Sequence, residues 1–302
     1  MKTTDLKAKI ILLAAMIIWS TSFIALKATF RTYDPMFVIW GRQILASILF
    51  LFVIRHLWKT CEYRKGDYNL LLLMAIFEPC LYFLFEAMAI TNTTASQAGI
   101  LTSTLPILVA IAAFFTLKEK TTPLTWLGFI IAVTGAVILS IYSEVTESAP
   151  NPVLGNFLEF CAMICAAGYT ISLKKLSERY NPFFLTAFQC FIGSFFFFPF
   201  IFIQGRGLPT EFVLYPALGI VYLGVVVTIG AYGLYSMGIS RVKASTAAAF
   251  VNLIPVFTMF FGWILLDEKM NLMQYFGCGL IFTGVYLSQR RRKRSLKIPV
   301  NE

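Results

Sequence analysis

Three polar side chains recur at helical spacing inside an apolar stretch of this sequence. Glu78, Tyr82 and Glu86 stand at positions i, i+4 and i+8, which places them along one side of a helix. Pro79 adds an expected kink beside the first of them. Two carboxyl groups in a low-dielectric setting do not both ionise easily, so one of them is expected to carry a proton at neutral pH. The spacing predicts a polar stripe that faces a cavity and that suits proton-coupled exchange.

Arg42 lies near the middle of a different apolar stretch. A charged side chain at the centre of a membrane helix costs roughly 2.5–3.5 kcal/mol on insertion scales, so it needs a partner or a purpose. In one interpretation Arg42 faces the cavity and holds a carboxylate bidentately. In the other it forms a structural ion pair with Glu86, and with Glu78 as well. The sequence leaves both interpretations open.

Four further residues are weaker candidates for the lining of a solute pathway. Trp19, near the middle of the first apolar stretch, suits an apolar or cation–π wall, although packing alone explains many buried tryptophans. Glu159 is expected a few residues from the outer surface, either at the mouth of the cavity or hydrated among lipid headgroups. Tyr169 and Asn252 are candidates by polarity and position only.

The composition shows what kind of element must position these residues. The 302 residues are 58% hydrophobic and 13% charged, against about 25% charged in an ordinary soluble domain. The apolar residues fall in ten runs of a length that crosses a bilayer as a helix. The predicted spans are 10–30, 35–54, 68–90, 95–117, 123–142, 154–173, 182–204, 211–237, 244–266 and 272–289. The sequence therefore predicts an all-α membrane protein with ten transmembrane helices.

The basic residues predict the orientation of these spans. With the N-terminus inside, about twenty Lys and Arg fall on the inner side and four on the outer side, with Arg42 inside a span. Both termini are expected to be cytoplasmic, in a multi-pass protein of the cytoplasmic membrane. The cluster from Arg290 to Arg294 follows the last span and is interpreted as an anchor to anionic lipid, since the net charge of +10 does not point to a nucleic-acid partner.

An internal repeat divides the chain into segments 1–147 and 148–302, the second with the basic cytoplasmic tail. Pro106, Glu119-Lys120 and Gly128 recur 149 positions later as Pro255, Glu268-Lys269 and Gly277. Earlier in the chain the offset is 147. Each segment holds five spans, and because five is odd, the second segment must enter the membrane upside down. The prediction is two inverted five-helix repeats, an architecture of secondary transporters.

The motifs of both repeats together resemble those of one family, the EamA-type transporters of the drug/metabolite transporter superfamily. The residues that carry the resemblance are Trp19-Ser20-Thr21-Ser22-Phe23, Asp34-Pro35, Arg42, Thr94-Ala95-Ser96-Gln97-Ala98, Pro106, Leu117-Lys118-Glu119-Lys120, Ser245 to Ala247, Pro255 and Leu266-Asp267-Glu268-Lys269. The resemblance implies a ten-helix fold, a central cavity and export or exchange of small solutes such as amino acids. Arg42 aligns with Gln189 in the second repeat, so any role of the arginine belongs to the first repeat alone.

The predicted function is that of a secondary transporter for a small polar metabolite, such as an amino acid, which works by alternating access with protons as the candidate coupling ion. No G-x4-G-K-S/T loop and no catalytic motif is present, so neither an ATPase nor an enzyme is predicted. The cysteine spacing predicts no metal site, and no cofactor is expected. The alternatives are an importer or antiporter of a larger, nucleotide-linked metabolite, and an intramembrane enzyme or scaffold. Monomer and homodimer both stay open.

Overall fold

The chain folds into a bundle of apolar helices. The computed structural model describes residues 2–117, 122–203, 208–242 and 244–289, and within these ranges the only β structure is an isolated bridge between Thr146 and Ala149. The helices of the predicted first repeat, 1–147, are α1 (Lys2–Phe30), α2 (Pro35–Leu51), α3 (Asp67–Asn92), α4 (Ala95–Leu101, continued by Thr102–Thr104 and Leu105–Leu117) and α5 (Pro123–Ile141). Those of the second are α6 (Pro152–Leu176), α7 (Pro182–Phe197, continued by Phe200–Ile203), α8 (Leu214–Ile239), α9 (Ala244–Phe250, continued by Val251–Leu253 and Ile254–Leu266) and α10 (Leu272–Gln289).

Eight of these helices are long and apolar enough to cross a membrane, whereas α2 and α10 are apolar but shorter. Their large side chains face outward in many places, as Phe115 and Phe195 do. Outward-facing apolar surface of this extent suits lipid, and the chain is a multi-pass, all-helical membrane protein. The Phe195–Phe198 run is divided between two environments, since Phe195 is 80% exposed and Phe197 is fully buried. The predicted basic tail from Arg290 onward lies outside the described residues.

Several helices begin with the same local signal, a polar capping residue followed by proline. Asp34 accepts from the backbone N–H of Met36 at 2.9 Å, and Asn181 accepts from Phe183 at 2.9 Å. Proline follows each capping residue, at the first helical position, where its missing N–H costs no hydrogen bond. These caps fix the start of α2 and α7 at equivalent places in the two repeats.

Helices α5 and α10 approach each other backbone to backbone through glycines. A Cβ added at Gly128 would lie 2.4 Å from the carbonyl oxygen of Gly284, and one added at Gly135 would lie 2.5 Å from that of Gly277. Only glycine leaves room for such a contact, which is typical of membrane helix pairs. The seven-residue glycine spacing therefore serves helix packing within one chain.

Some contacts occur twice, at positions one repeat apart. Lys27 Nζ donates to the carbonyl oxygen of Ile90 at 2.6 Å, and Lys174 Nζ donates to that of Ile239 at 3.0 Å. Ser47 and Ser194, which the repeat aligns, hydrogen-bond to each other at 2.9 Å. The two lysines lie at opposite ends of the bundle, and these are named here the Lys27 end and the Lys174 end.

A single methyl group on the buried face of α10 is expected to destabilise the protein. Gly277→Ala places Cβ 2.8 Å from the carbonyl oxygen of Gly135 and 2.8 Å from the backbone nitrogen of Leu139, so the helices must separate. The expected cost is about 1–3 kcal/mol, seen as a lower melting temperature of the purified protein in detergent. Gly279→Ala is the matched control, because it meets nothing within 4 Å and gains helix propensity. Equal melting temperatures for the two variants would show that the close approach does not hold the pair together.

Candidate functional site

A cavity lies in the middle of the bundle. Helices α1, α2, α3 and α4 line it together with α6, α8 and α9. Its polar and aromatic lining residues are Trp19, Ser22, Phe23, Arg42, Glu78, Tyr82, Glu86, Thr102, Tyr169, Thr170, Tyr232 and Tyr235. All the charged groups among them are buried, so the cavity is a secluded polar site within an apolar protein.

The structure brings six of the eight residues singled out from the sequence to this one cavity. They are Trp19, Arg42, Glu78, Tyr82, Glu86 and Tyr169. Glu159 and Asn252 are not part of the lining. Asn252 lies in the short turn between the two parts of α9, beside the lining residue Val251, with its Oδ1 buried and without a partner among the described residues. The structure gives the positions of these residues, and their roles stay predictions.

Arg42 reaches from α2 into the cavity with an incomplete set of partners. The side chain is 1% exposed, its Nε donates to Thr228 Oγ1 at 2.9 Å, and its guanidinium carbon lies 4.4 Å from the ring centre of Phe83. Its Nη2 has no hydrogen-bond partner in the described part of the chain. No salt bridge joins it to Glu78 or Glu86, all three of which the structure describes. The structural ion pair considered above is absent from this conformation, and a donor of Arg42 stays available.

Glu86 has a hydrogen-bond partner for one of its two carboxyl oxygens. Its Oε1 accepts a hydrogen bond from the Tyr82 hydroxyl at 2.9 Å, as the four-residue spacing on one helix face allows. Its Oε2 is buried and has no partner among the residues described. The Tyr82 hydroxyl therefore orients the carboxyl group, and Oε2 of Glu86 stays available to a ligand.

Glu78 stands where helix α3 is broken. Its backbone is extended, with φ −150° and ψ 117°, and the peptide bond to Pro79 is cis. Proline has no N–H to continue the helical ladder, so the expected kink is present. Gln189 Nε2 donates to the carbonyl oxygen of Glu78 at 2.8 Å. The Glu78 carboxyl lies against the hydroxyl of Tyr232. Helix α7, which carries Gln189, the counterpart of Arg42, therefore contacts the break in α3.

Aromatic rings from α8, which the sequence reading missed, complete one wall of the cavity. The ring of Trp19 lies 5.0 Å from that of Tyr232 and 4.8 Å from that of Tyr235, centre to centre. Trp19 Nε1 is a buried donor without a partner within the described ranges. Two tyrosines three residues apart in an apolar run carry the same signal as the polar stripe of α3. A spacing of three or four residues between polar aromatic side chains of the eighth span is the sequence signal that indicates them.

Glu159 is deeper than the sequence suggested. It is 0% exposed, so it lies neither at an open mouth nor among lipid headgroups. Both of its carboxyl oxygens lack a hydrogen-bond partner in the part of the chain that the structure covers. Helix α6, which carries it, packs along the second part of α3, the part that carries Tyr82 and Glu86.

The atoms left without partners define what the cavity can bind. Arg42 Nη2 and Trp19 Nε1 are donors, Glu86 Oε2 is an acceptor when ionised, and the Tyr169 hydroxyl has no hydrogen bond within the described residues. Such a site suits a ligand with an anionic and a cationic group beside an aromatic wall. In the described ranges no group of three His, Cys, Asp or Glu side chains could hold a metal ion.

At the Lys27 end a dense polar network joins the helices of the bundle. Lys27 Nζ donates to the carbonyl oxygens of Thr93 and Ser148 as well as Ile90. Asn156 Nδ2 donates to Gln97 Oε1 at 2.7 Å and accepts from the Thr93 hydroxyl at 2.7 Å. These bonds tie α1, α3, α4 and α6 together.

Glu268 adds a link between the two repeats at this same end. Its carboxylate accepts from the backbone N–H groups of Ala95 and Ser96, each at 2.8 Å, and from the Ser96 hydroxyl at 2.5 Å. A carboxylate at the first N–H groups of a helix is favoured by charge-assisted hydrogen bonds and by the helix dipole. Glu268, which follows the end of α9, thus caps the first helical turn of α4.

Comparisons with known proteins agree with this architecture. A model of the EamA-like transporter family matches residues 6–141 and 153–289. The chain is 27% identical over 306 residues to the uncharacterized transporter YetK of Bacillus subtilis, covering 98% of this chain and 90% of that protein. An uncharacterized transporter of Archaeoglobus fulgidus is 29% identical over 287 residues, covering 95% of this chain and 100% of that protein. A solved crystal structure shares the fold with a TM-score of 0.65 at 17% identity, over 94% of this chain and 96% of that one. The family model covers both repeats, and the chain is therefore a membrane transporter of the EamA-like transporter family.

Proposed function

We propose that this protein is a secondary transporter that exports or exchanges a small zwitterionic metabolite, an amino acid or a related solute, across the cytoplasmic membrane. The observation that carries the proposal is one buried cavity in which Arg42 Nη2 and Glu86 Oε2 both lack partners. Leaving a buried charged group unsatisfied is costly, so a ligand that pairs with both groups gains that free energy on binding. A carboxylate fits the arginine, and an ammonium group fits the glutamate.

The aromatic wall supports the same class of ligand. Trp19, Tyr232 and Tyr235 form a contiguous set of rings beside the charged groups. Aromatic faces attract an ammonium group and also pack against an apolar side chain. Among the residues that the structure describes, Arg42 is the one cation that lines the cavity, which is little for a solute with several phosphate charges. The smaller solute is therefore favoured over a nucleotide-linked one.

Alternating access follows from two inverted repeats, 1–147 and 148–302, which place the cavity at their interface. The paired contacts of Lys27 with Ile90 and of Lys174 with Ile239 support this relation, since they lie at opposite ends of the bundle. In the cycle we propose, the end that opens must give up its lysine contact while the other end keeps its own.

The direction of insertion follows from the basic residues. About twenty Lys and Arg on one side against four on the other favour cytoplasmic termini, which makes the Lys27 end the outer one. Protons are the proposed coupling ion, because the carboxyl groups of Glu78 and Glu86 share the cavity with the solute.

Removing the charge of Arg42 is expected to reduce transport of solutes that bear a carboxylate. For Arg42→Gln we expect flux of radiolabelled amino acids into proteoliposomes to fall roughly 10- to 100-fold, since a hydrogen bond to a charged group is worth about 1.5–3 kcal/mol. Inhibition by the matching amine, which lacks the carboxylate, should change much less. Arg55→Gln, at an exposed position, is the control. If the variant transports amino acids like wild type, the cavity does not hold a carboxylate at Arg42.

Weakening the Glu268 link is expected to open the outer end more often. Glu268→Gln loses the charge of the cap, and a thiol introduced by Ser22→Cys in the cavity should then react faster with an impermeant maleimide added outside. We expect an increase of roughly tenfold, which corresponds to about 1.4 kcal/mol. Asp267→Asn is the matched control, because this side chain is 82% exposed and its ion pair is with the exposed Lys269. Equal labelling rates in the two variants would contradict a role of Glu268 in closure.

The proposed orientation predicts where the C-terminus lies. A reporter fused after the last residue should be accessible to a membrane-impermeant protease only in inside-out vesicles, because the basic residues keep that side cytoplasmic. A reporter between α5 and α6, in the loop that contains Glu147, should show the opposite pattern. Cleavage of the C-terminal reporter in intact cells would overturn the orientation.

A further inference from the structure

A polar cluster at the Lys174 end joins the predicted first repeat to the second. Its centre is Asp67, the buried first residue of α3. The carboxylate of Asp67 forms an ion pair with Arg179 and accepts a hydrogen bond from the Tyr180 hydroxyl at 3.2 Å. It also accepts from the backbone N–H of Arg64 at 3.1 Å, in the loop before α3. Because Arg179 and Tyr180 lie in the turn between α6 and α7, one carboxylate connects the start of α3 to the other repeat.

The loop that joins α2 to α3 contacts the same turn of the second repeat. The backbone N–H of Glu62 donates to the carbonyl oxygen of Arg179 at 2.9 Å, and the side-chain amide of Asn181 donates to the Thr60 hydroxyl at 3.0 Å. Each of these bonds joins a residue of the predicted first repeat to a residue of the second. Together with the contacts of Asp67 to the turn, they are named here the Asp67 latch.

The opposite end of the bundle has a related contact at positions that the repeat aligns. Tyr33, which aligns with Tyr180, lies in the turn between α1 and α2. Its hydroxyl accepts from the backbone N–H of Val213 at 2.8 Å and donates to the carbonyl oxygen of the same residue at 3.2 Å. Val213 directly precedes α8, as the loop of the Asp67 latch directly precedes α3. At each end, a tyrosine of one repeat thus contacts the start of a helix in the other.

The two tyrosine contacts differ in the charge of the group that they meet. Tyr33 binds backbone groups of a neutral residue, whereas Tyr180 binds a carboxylate that is also paired with a guanidinium. Hydrogen bonds to charged groups are stronger than neutral ones, and breaking a buried ion pair leaves a charge uncompensated. The contact at the Lys174 end is therefore expected to be the stronger of the two.

We propose that the Asp67 latch is the gate at the cytoplasmic end, formed while the solute site faces outward and released when the site opens inward. This inference rests on the proposed alternating access and adds to it the residues that must separate. When two inverted repeats rock against each other, contacts between the repeats at one end are released as the cavity opens there. The latch consists of such contacts, and it lies at the end that the basic residues favour as the inner one.

The accessibility of a thiol in the cavity tests the gate from each side of the membrane. Ser22→Cys is labelled with an impermeant maleimide in inside-out and in right-side-out vesicles, and the rate of the same protein without this thiol is subtracted. Tyr180→Phe should raise the labelling rate from the inside roughly threefold, and Asp67→Asn roughly tenfold, since the second change also removes the charge. Neither change should raise the rate from the outside.

Two matched variants complete the test. Tyr33→Phe should give the reverse pattern, with faster labelling from the outside alone. Glu62→Gln should label like wild type, because its exposed carboxylate lies in the same loop and its contact with Arg179 is made by the backbone. Inside labelling of Tyr180→Phe and Asp67→Asn at the wild-type rate would overturn the gate. Equal increases from both sides would also overturn it, because they would show a general loosening of the bundle.

A cross-link distinguishes a gate from a contact that only stabilises the fold. In an Asp67→Cys/Arg179→Cys variant, a short bifunctional thiol reagent joins the two positions. Cys61, whose Sγ accepts from the backbone of the same turn, is replaced by serine in every sample. Because a gate must part in each cycle, cross-linking should lower the flux of radiolabelled amino acids in proteoliposomes at least about tenfold. The references are the same sample before treatment and the treated single-cysteine variants.

Undiminished flux after complete cross-linking would contradict the gate and leave the transport function standing. If wild type moves no amino acid at all, the proposed function fails, and the labelling rates from the two sides still decide whether the latch controls access to the cavity.

Discussion

A bundle surrounded by apolar surface has to satisfy its buried polar groups from within. The Lys27 ammonium group is taken up by three carbonyl oxygens, and the Glu268 carboxylate by two backbone N–H groups and a hydroxyl. An unpaired charge in this setting costs several kcal/mol, because neither lipid nor an apolar core replaces its hydration. Arg42, Glu86 and Glu159 differ from these groups, because each has a buried charged-group atom without a hydrogen-bond partner among the described residues.

Arg42 and Gln189, which the sequence repeat aligns, each contact the opposite half of the chain, but they differ in charge. Arg42 reaches into the second repeat and donates to Thr228, while its counterpart Gln189 reaches into the first and donates to the Glu78 carbonyl. Both contacts hold a segment where the helix departs from regular α geometry, Ile76–Leu81 in α3 and Leu223–Ala231 in α8. Only the first repeat carries the charge. The charged side chains that line the cavity thus come from the first half of the chain.

Irregular backbone is concentrated around the cavity. The break in α3 and the π-helical segment of α8 lie beside it, and the short 3-10 turns of α4 and α9 contribute Thr102 and Val251 to its lining. Within a membrane such departures are tolerated where protein, not lipid, surrounds them. They also present side chains at angles that a straight helix does not offer. The same property explains why Glu78, Tyr82 and Glu86 still share one cavity although the helix between them is interrupted.

The sequence by itself determined the features that depend on local composition and spacing. Apolar runs predicted the helices, and the spacing of Glu78, Tyr82 and Glu86 predicted their common orientation. The sequence did not predict contacts between distant segments. An apolar helix can pack against many other helices, and the packing free energies of these alternatives differ little. Tertiary structure alone decided that Arg42 contacts Thr228 and not a carboxylate, that Tyr232 and Tyr235 complete the aromatic wall, and that Glu159 is buried beside α3. The burial and the hydrogen-bond partners of a side chain depend on its neighbours in space. The spacing of residues along the sequence does not specify these neighbours.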